Sequence, residues 1–172
     1  GWPDVAPGPV PLAVCPRGCA PVGQKSRESG QSSPQPIGFS STFLFVPGTR
    51  PERFTKALDS GADGVIIDLE DAVAHEDKES ARAAIRAAWS SFTTEQKKRL
   101  IIRSNSPGSH FYAADLILVQ ELDAACLLIP KSESLDQING AAQILPNTAI
   151  IPMIETAIGL DRLNEIATSE QV

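Results

Sequence analysis

From residue 42 onward, short apolar runs of strand length alternate with amphipathic segments of helical length, and the alternation occurs five times. This pattern predicts repeated βα units whose strands pair in parallel between covering helices. The predicted strands are Phe43–Pro47, Gly64–Leu69, Leu100–Ser104, Ala125–Pro130 and Ile150–Ile154. The predicted helices are Pro51–Ser60, Asp77–Trp89, Ser109–Gln120, Ser134–Ala142 and Ala157–Ala167. Pro51 suits the first turn of a helix, and Ser134 suits an N-cap.

Polar residues stand at or just past the ends of four successive predicted strands. They are Glu70 with Asp71, then Arg103, Lys131 and Glu155. Five βα units fit either an open doubly wound sheet or part of an eight-stranded barrel. An open sheet gathers ligands mainly at its switch point, whereas a barrel gathers residues from many strand ends at one face. We therefore predict an α/β fold that is a partial TIM (β/α)8 barrel of about five βα units, covering residues 41–172.

Residues 1–40 are rich in Pro, Gly and Ser and show neither helical nor strand periodicity. Such a composition cannot bury enough apolar surface to offset the entropy of ordering, so we predict a disordered tail. Arg17, Lys25 and Arg27 stand among serines, which is compatible with a mitochondrial transit segment, but prolines and nearby acidic residues oppose that interpretation. Without such a segment the expected location is the cytoplasm.

Composition excludes several classes of protein. The hydrophobic fraction is 42 %, the mean hydropathy is −0.07, and no apolar run approaches the roughly 18 residues of a membrane span. The net charge of −6 argues against a broad nucleic-acid surface. The three cysteines are an odd number and only Cys126 lies in the part expected to be ordered, so a disulfide framework is not expected. Cys15 and Cys19 lack a second ligand pair at zinc-site spacing.

The segment Phe-Val-Pro-Gly-Thr-Arg-Pro-Glu-Arg, residues 45–53, ends a strand and enters a helix that bears Arg50 and Arg53. Free amides and basic side chains at a helix start suit an anion such as phosphate. The alternative is an ordinary βα turn with solvated arginines. It is not a Walker loop, because the Gly-Lys-Ser/Thr element is absent.

The segment Asp-Leu-Glu-Asp-Ala-Val, residues 68–73, places three carboxylates in four positions. Strand alternation sends Asp68 and Glu70 to one face and Asp71 into the loop. Like charges this close are tolerated when a cation, an arginine or backbone amides lie between them, although a pair of helix-capping acids explains the pattern equally well.

Arg103 and Glu155 are the charged residues that stand out most clearly. A guanidinium at the end of a buried strand requires an anionic partner, which a substrate carboxylate, Glu70 or Glu155 can supply. Glu155 closes the apolar run of residues 150–156, which has the composition of a buried parallel strand. Because an uncompensated buried charge costs several kcal/mol, a carboxylate there predicts a metal or substrate site.

His75 and His110 have no Ser or Cys partner at a recognised spacing, so nucleophilic triad chemistry and zinc hydrolysis are not expected. A lone loop histidine is usually solvated. Lys131 is compatible with a Schiff base. A salt bridge from Lys131 to Glu133 or to another strand-end acid is the favoured interpretation.

Four ordered motifs spread over residues 42–168 resemble the HpcH/HpaI aldolase and citrate lyase family, in particular its citrate lyase beta-subunit-like acyl-CoA lyases. The motifs are FLFVPGTRPERF (43–54), GADGVIIDLEDAV (61–73), IPKSES (129–134) and IETAIG (154–159). The resemblance implies a TIM barrel that cleaves or forms a carbon-carbon bond beside a carboxylate, with Mg²⁺ holding the oxo-acid portion.

The resemblance also implies roles for individual residues. Arg103 matches the arginine that binds substrate, Glu155 the glutamate that ligates magnesium, and Glu70 and Asp71 the acids that line the same pocket. Arg50 lies where a basic loop meets the phosphates of CoA. The implied substrate is a citryl-, malyl- or citramalyl-CoA-like thioester bound by a homo-oligomer, without nucleic acid or membrane as partners.

Two departures from the family pattern are visible. The second metal ligand, an aspartate roughly 25 residues after Glu155 by resemblance, falls beyond Val172, together with three further βα units. Ser41 stands where the family often has an arginine. We therefore expect a truncated lyase, with two alternatives: an aldolase that acts on free oxo-acids without CoA, or a non-catalytic binding subunit.

Overall fold

Five parallel strands form one sheet in the order β1-β2-β3-β4-β5. The computed structural model describes residues 42–168. The strands are β1 (Phe43–Pro47), β2 (Gly64–Asp68), β3 (Leu100–Arg103), β4 (Cys126–Ile129) and β5 (Ala149–Pro152). Each strand pairs in parallel with the next one in the chain, as consecutive βα units of a barrel do. The predicted parallel α/β architecture is confirmed.

Helices connect the strands, with more interruptions than the sequence pattern predicts. They are α1 (Phe54–Leu58), α2 (Lys78–Trp89), α3 (Thr94–Lys97), α4 (Tyr112–Glu121), α5 (Leu135–Ile144), α6 (Ala157–Asp161) and α7 (Leu163–Ala167). Short 3₁₀ turns at Pro51–Arg53 and His75–Asp77 lead into α1 and α2. The predicted helix Ala157–Ala167 is divided at Arg162, whose ψ of 11° departs from helical geometry. The predicted cap at Ser134 is confirmed as a capping box with Gln137.

The three central strands are buried along their whole length, whereas the two outer strands are not. One face of the sheet packs on the helices through residues such as Ile67, Ile102 and Leu127, which belong to the main hydrophobic core. The other face carries a smaller cluster of Ile66, Ile101, Cys126 and Leu128. The alternation of side chains along β2 and β3 therefore assigns Asp68 and Arg103 to the same face as this smaller cluster.

The prediction that residues 150–156 form a buried strand is only partly correct, and β1 is also largely exposed. Phe43, Leu44 and Phe45 on β1 are 40–45 % exposed, and in β5 only Ile150 is buried. The physical reason is the position of these strands: among the described residues each pairs with one neighbour and is covered on fewer sides.

Some sequence predictions concern residues that the structure does not describe. The predicted disordered tail, residues 1–40, lies outside the described residues, as do Cys15, Cys19 and Ser41. Between residues 42 and 168 no helix has the length and apolar character required to cross a membrane. Cys126 is a buried free thiol, and burial raises its pKa to about 12.

Two helical glycines give a matched pair of stability predictions. A Cβ on Gly159, in α6, would lie 2.4 Å from the backbone oxygen of Ser132, whereas a Cβ on Gly140, in α5, meets nothing within 4 Å. Gly159→Ala should therefore lower the free energy of unfolding by about 1–3 kcal/mol through overpacking. Gly140→Ala should raise it by about 0.5–1 kcal/mol because alanine loses less entropy in a helix. Urea denaturation of both variants measures this, and equal stability of the two would refute the close packing of α6 on the β4 loop.

Candidate functional site

A buried ion pair joins the carboxyl ends of β2 and β3. The strand register places Asp68 opposite Arg103, and these residues are 1 % and 7 % exposed. Arg103 Nε and Nη2 donate hydrogen bonds to Asp68 Oδ1 and Oδ2 at 2.7 and 2.6 Å. This two-point geometry fixes the plane of the guanidinium. The Phe45 ring packs over the guanidinium, 5.1 Å from ring centroid to Cζ.

The principal partner of Arg103 is one that the sequence interpretation did not name. Of the two acids it considered, Glu70 lies 3.3 Å from Arg103 Nη1, whereas Glu155 is not among the partners of Arg103 in the described part of the chain. Asp71 Oδ2 lies further from Nη1, at 3.8 Å. The favoured carboxylate is Asp68 because parallel pairing sets the two strand ends side by side, which the linear sequence does not show.

Asp68 also organises the loop that follows it. Its two oxygens accept hydrogen bonds from the backbone N–H groups of Glu70 and Ala72, at 2.7 and 3.0 Å. Burial by itself raises the pKa of Asp68, but the hydrogen bonds from Arg103 and these amides outweigh burial and hold the pKa below its ordinary value. Asp68 is thus a carboxylate anion that fixes both Arg103 and the acidic loop.

Glu70 is buried, and its two oxygens differ in environment. Oε1 accepts a hydrogen bond from Lys131 Nζ at 2.5 Å, while Oε2 is buried without a hydrogen-bond partner among the described residues. Burial raises the pKa of Glu70, and the Lys131 hydrogen bond partly offsets this rise. Asp71, predicted to point into the loop, has a side chain that is 69 % exposed. Glu70 Oε2 therefore faces Arg103 Nη1 as an ion pair at 3.3 Å, without a hydrogen bond.

Lys131 links the acids that follow β2 and β5. Its side chain bonds to Glu70, and its backbone N–H donates to Glu155 Oε1 at 3.0 Å. The φ angle of Lys131 is +49°, an uncommon left-handed conformation for a residue other than glycine. The predicted salt bridge to a strand-end acid is confirmed, with Glu70 rather than Glu133 as the partner.

The prediction that Glu155 is a buried carboxylate at the end of a strand is wrong. The strand ends at Pro152, and Glu155 lies three residues further on with an exposed side chain. The cost of burying a charge therefore gives no argument for a metal there. No group of three or more His, Cys, Asp or Glu side chains between residues 42 and 168 is arranged to hold a metal ion. The role of Glu155 as a metal ligand stays a prediction.

The predicted anion site near β1 contains basic side chains, but they are not all in one place. Arg50 is exposed and lies 3.8 Å from Glu52, so its environment is that of a solvated arginine. A cavity of about 460 Å³ opens beside β1, and its basic lining residues are Arg53 and Lys56. Contact of Arg50 with a cofactor stays a prediction.

Buried charged residues on α2 and α4 bind the loops that carry the site. The sequence interpretation did not single them out. Lys78 and Arg82 are buried one turn apart on α2, and Arg82 Nη1 donates to Asp115 Oδ1 at 2.9 Å. Asp115 Oδ2 accepts hydrogen bonds from the backbone and side-chain nitrogens of Asn105, both at 2.7 Å. A sequence signal did exist, since Asp115 interrupts an apolar helical run and such a charge requires a partner.

His75 and His110 are exposed, as expected, but they are not isolated from one another. Their ring centroids lie 5.7 Å apart, and both rings contact Phe111 at 4.9 and 3.9 Å. The contact brings together the loops after β2 and β3. Their separation of 35 positions in the chain gave no indication of this proximity.

Comparison with known proteins places this geometry in a family. Residues 41–172 match the family model described as HpcH/HpaI aldolase/citrate lyase. The (3S)-malyl-CoA thioesterase of Cereibacter sphaeroides is 35 % identical over 124 residues, covering 72 % of this chain and 43 % of that protein. The chain thus spans less than half the length of this relative.

Two solved structures of Mycobacterium tuberculosis proteins are similar in fold. A citrate lyase beta subunit complexed with oxaloacetate and magnesium has a TM-score of 0.67 and 34 % identity, covering 77 % of this chain and 56 % of that one. A CitE protein in complex with magnesium, acetoacetate and coenzyme A has a TM-score of 0.67 and 34 % identity, covering 78 % and 47 %.

These similarities confirm the partial TIM barrel and the family resemblance. The structural neighbours are TIM-barrel-like citrate lyase beta subunits, and magnesium, the metal that the resemblance implied, is present in both solved structures. The family match covers the five βα units and every candidate site residue named above. This chain therefore belongs to the HpcH/HpaI aldolase/citrate lyase family.

Proposed function

We propose that the protein containing this chain is a magnesium-dependent carbon-carbon lyase that cleaves the CoA thioester of a hydroxy acid of the citryl, malyl or citramalyl type. One observation carries the proposal: Asp68 holds Arg103 through Nε and Nη2, while Nη1 lies 3.3 Å from Glu70 Oε2 and 3.8 Å from Asp71 Oδ2 without a hydrogen bond among the described residues. A guanidinium whose plane is fixed, and whose Nη1 is not yet committed to a hydrogen bond, suits a substrate carboxylate. Relatives that bind oxaloacetate or acetoacetate support this assignment.

Glu155 would supply one protein carboxylate to a magnesium ion. Mg²⁺ usually takes one or two protein carboxylates, substrate oxygens and water, rather than a complete protein cage. Glu155 is exposed at the carboxyl edge of the sheet, with Oε1 held by the Lys131 N–H. When bound, the ion would polarise the carbonyl oxygen of the oxo-acid and stabilise the charge that develops during bond cleavage.

The chain's own residues would bind and orient the hydroxy acid. Arg103 holds its carboxylate, and Glu70 and Asp71 line the same pocket beside the reacting carbons. In the reaction the bond between the hydroxyl-bearing carbon and the carbon next to the thioester breaks. The hydroxyl group loses its proton and becomes the carbonyl of the oxo-acid, and the thioester fragment gains a proton at carbon. No oxidant or reductant is required.

A second candidate function is hydrolysis of the thioester, because the similar Cereibacter sphaeroides protein is a malyl-CoA thioesterase. An aldolase acting on free oxo-acids is a further alternative, which the CoA-containing structure of the M. tuberculosis relative disfavours. A non-catalytic binding subunit predicts ligand binding without turnover. A homo-oligomeric assembly and the cellular location stay predictions.

Product analysis distinguishes these functions. The protein as its gene encodes it is incubated with Mg²⁺ and each of the three thioesters or the corresponding free hydroxy acids, and the products are separated by chromatography. The proposed lyase releases an oxo-acid and an acyl-CoA in equal amounts. Hydrolysis of the thioester releases free CoA thiol and the intact hydroxy acid instead. Cleavage of the free hydroxy acids alone would show that CoA is not part of the substrate.

Replacement of Arg103 by lysine tests the carboxylate clamp. Arg103→Lys keeps the positive charge but cannot reproduce the two-point contact, so we expect the affinity for oxaloacetate to fall about 10- to 100-fold, as for loss of a charged hydrogen bond. Isothermal titration with oxaloacetate in the presence of Mg²⁺ measures this. Arg86→Lys is the control, because Arg86 forms an exposed pair with Glu121 away from the site. An unchanged affinity for Arg103→Lys would remove Arg103 from the binding site.

A further inference from the structure

Lys78, the first residue of α2, is a buried cation with backbone partners. It is 4 % exposed, and its Nζ donates hydrogen bonds to the carbonyl oxygens of Leu69 and Glu70 at 2.7 and 2.6 Å. Burial lowers the pKa of Lys78, and the carboxylates of Asp115, Asp68, Glu70 and Asp71 oppose that change. A buried ammonium is tolerated only when such acceptors and charges compensate it.

The backbone segment that Lys78 contacts is also bound by Asp68. Residues 69–74 belong to neither a helix nor a strand, so their backbone groups need other partners. The N–H of Glu70 donates to Asp68, and the C=O of Glu70 accepts from Lys78. Both backbone polar groups of Glu70 are therefore bound by charged side chains, which restricts the direction in which its own side chain leaves the loop.

We propose that Lys78 is a positioning residue, whose ammonium fixes the acidic loop so that the Glu70 carboxylate meets Lys131 and Arg103. Its significance for catalysis rests on the proposed function, but its action on Glu70 does not. Arg82, one turn further along α2, acts in parallel on the next loop: it bonds to Asp115, which holds the backbone N–H of Asn105 just after Arg103. The α2 helix thus orders the loops after two neighbouring strands.

The unsubstituted chain gives the first test, by nuclear magnetic resonance. A buried ammonium bonded to two carbonyls exchanges its protons slowly, so the Lys78 Nζ signal should be observable and should show couplings across hydrogen bonds to the carbonyl carbons of Leu69 and Glu70. Exposed Lys98 provides the comparison, since fast exchange should remove its signal. A Lys78 ammonium that exchanges as fast as that of Lys98 would overturn the proposal without any substitution.

The second test uses Lys78→Met, which keeps an unbranched side chain as far as Cε and removes the ammonium. The readout is the ¹³C shift of the Glu70 carboxyl, followed with and without the substitution Lys131→Met. In the parent chain, Lys131→Met should move this resonance. In the Lys78→Met background the resonance should already resemble that of a solvated glutamate and should not move further. Lys98→Met is the control and should leave the response to Lys131→Met intact.

A response to Lys131→Met that is the same in the parent and Lys78→Met backgrounds would show that Lys78 only stabilises the fold and does not orient Glu70. Oxaloacetate titration of the unsubstituted protein with Mg²⁺ separates this question from the proposed function. Absence of oxaloacetate binding would contradict the lyase assignment while leaving the effect of Lys78 on Glu70 standing.

Discussion

Substitution of Asp68 by asparagine should lower the free energy of unfolding by about 3 kcal/mol, because it leaves the Arg103 guanidinium in a buried position without its anion. The loss should be measured by urea denaturation at neutral pH. Asparagine preserves the shape of the side chain, so a cavity does not contribute. The control is Glu121→Gln, which breaks the exposed pair with Arg86 and should cost less than about 1 kcal/mol.

The difference in unfolding free energy between the parent and Asp68→Asn should also depend on pH. Because the pKa of Asp68 is lower in the folded state than its ordinary value of 3.8, the ionised pair contributes stability above that value. This contribution disappears as the pH falls through the lower, folded-state pKa. The stability difference between the parent and Asp68→Asn should therefore be largest at neutral pH and narrow in acid below the ordinary value. A difference that is small at neutral pH, or that does not change with pH, would contradict the buried ion pair.

Asp115→Ala should be comparably destabilising, by about 3 kcal/mol or more. The substitution leaves the buried Arg82 guanidinium without its buried acceptor and two nitrogens of Asn105 without theirs. Denaturation measures the loss, and hydrogen exchange at the Asn105 amide should become faster. The matched control is Glu79→Ala, which removes the exposed partner of the same arginine and should have a much smaller effect.

The comparison of Asp115→Ala with Glu79→Ala is decisive because both contact Arg82. An equal loss of unfolding free energy in the two variants would show that the buried Arg82–Asp115 contact contributes no more than the exposed Arg82–Glu79 contact. The loop after β3 would then have to be ordered by other contacts.

Much of the fold could be predicted because local chemistry determines it. Strand β1 has the predicted bounds, and Ser134 caps α5, because apolar runs and capping residues act within a few positions. The exposure of β5 could not be predicted, since a strand's burial depends on which neighbours cover it. The division of a predicted helix at Arg162 likewise left no marker such as proline or glycine at that position.

The candidate site was predictable as a location but not as a set of contacts. Polar residues at strand ends indicated the correct edge of the sheet, since parallel strands end together. The bond between Asp68 and Arg103 depends on register across 35 positions, and the hold of Lys78 on the Glu70 carbonyl depends on the path of an irregular loop. Neither leaves a periodic pattern in the sequence.

The central claim is magnesium-dependent cleavage at a site that contains Glu155. Oxo-acid release should be followed as Mg²⁺ is titrated into the protein as its gene encodes it and into its Glu155→Gln variant. The parent should require Mg²⁺ and lose turnover with a chelator, and the variant should lose turnover by about 100-fold or more, since an amide is a weaker ligand than a carboxylate. Near-parental turnover by Glu155→Gln at low Mg²⁺ would contradict the account and leave that carboxylate with a structural role.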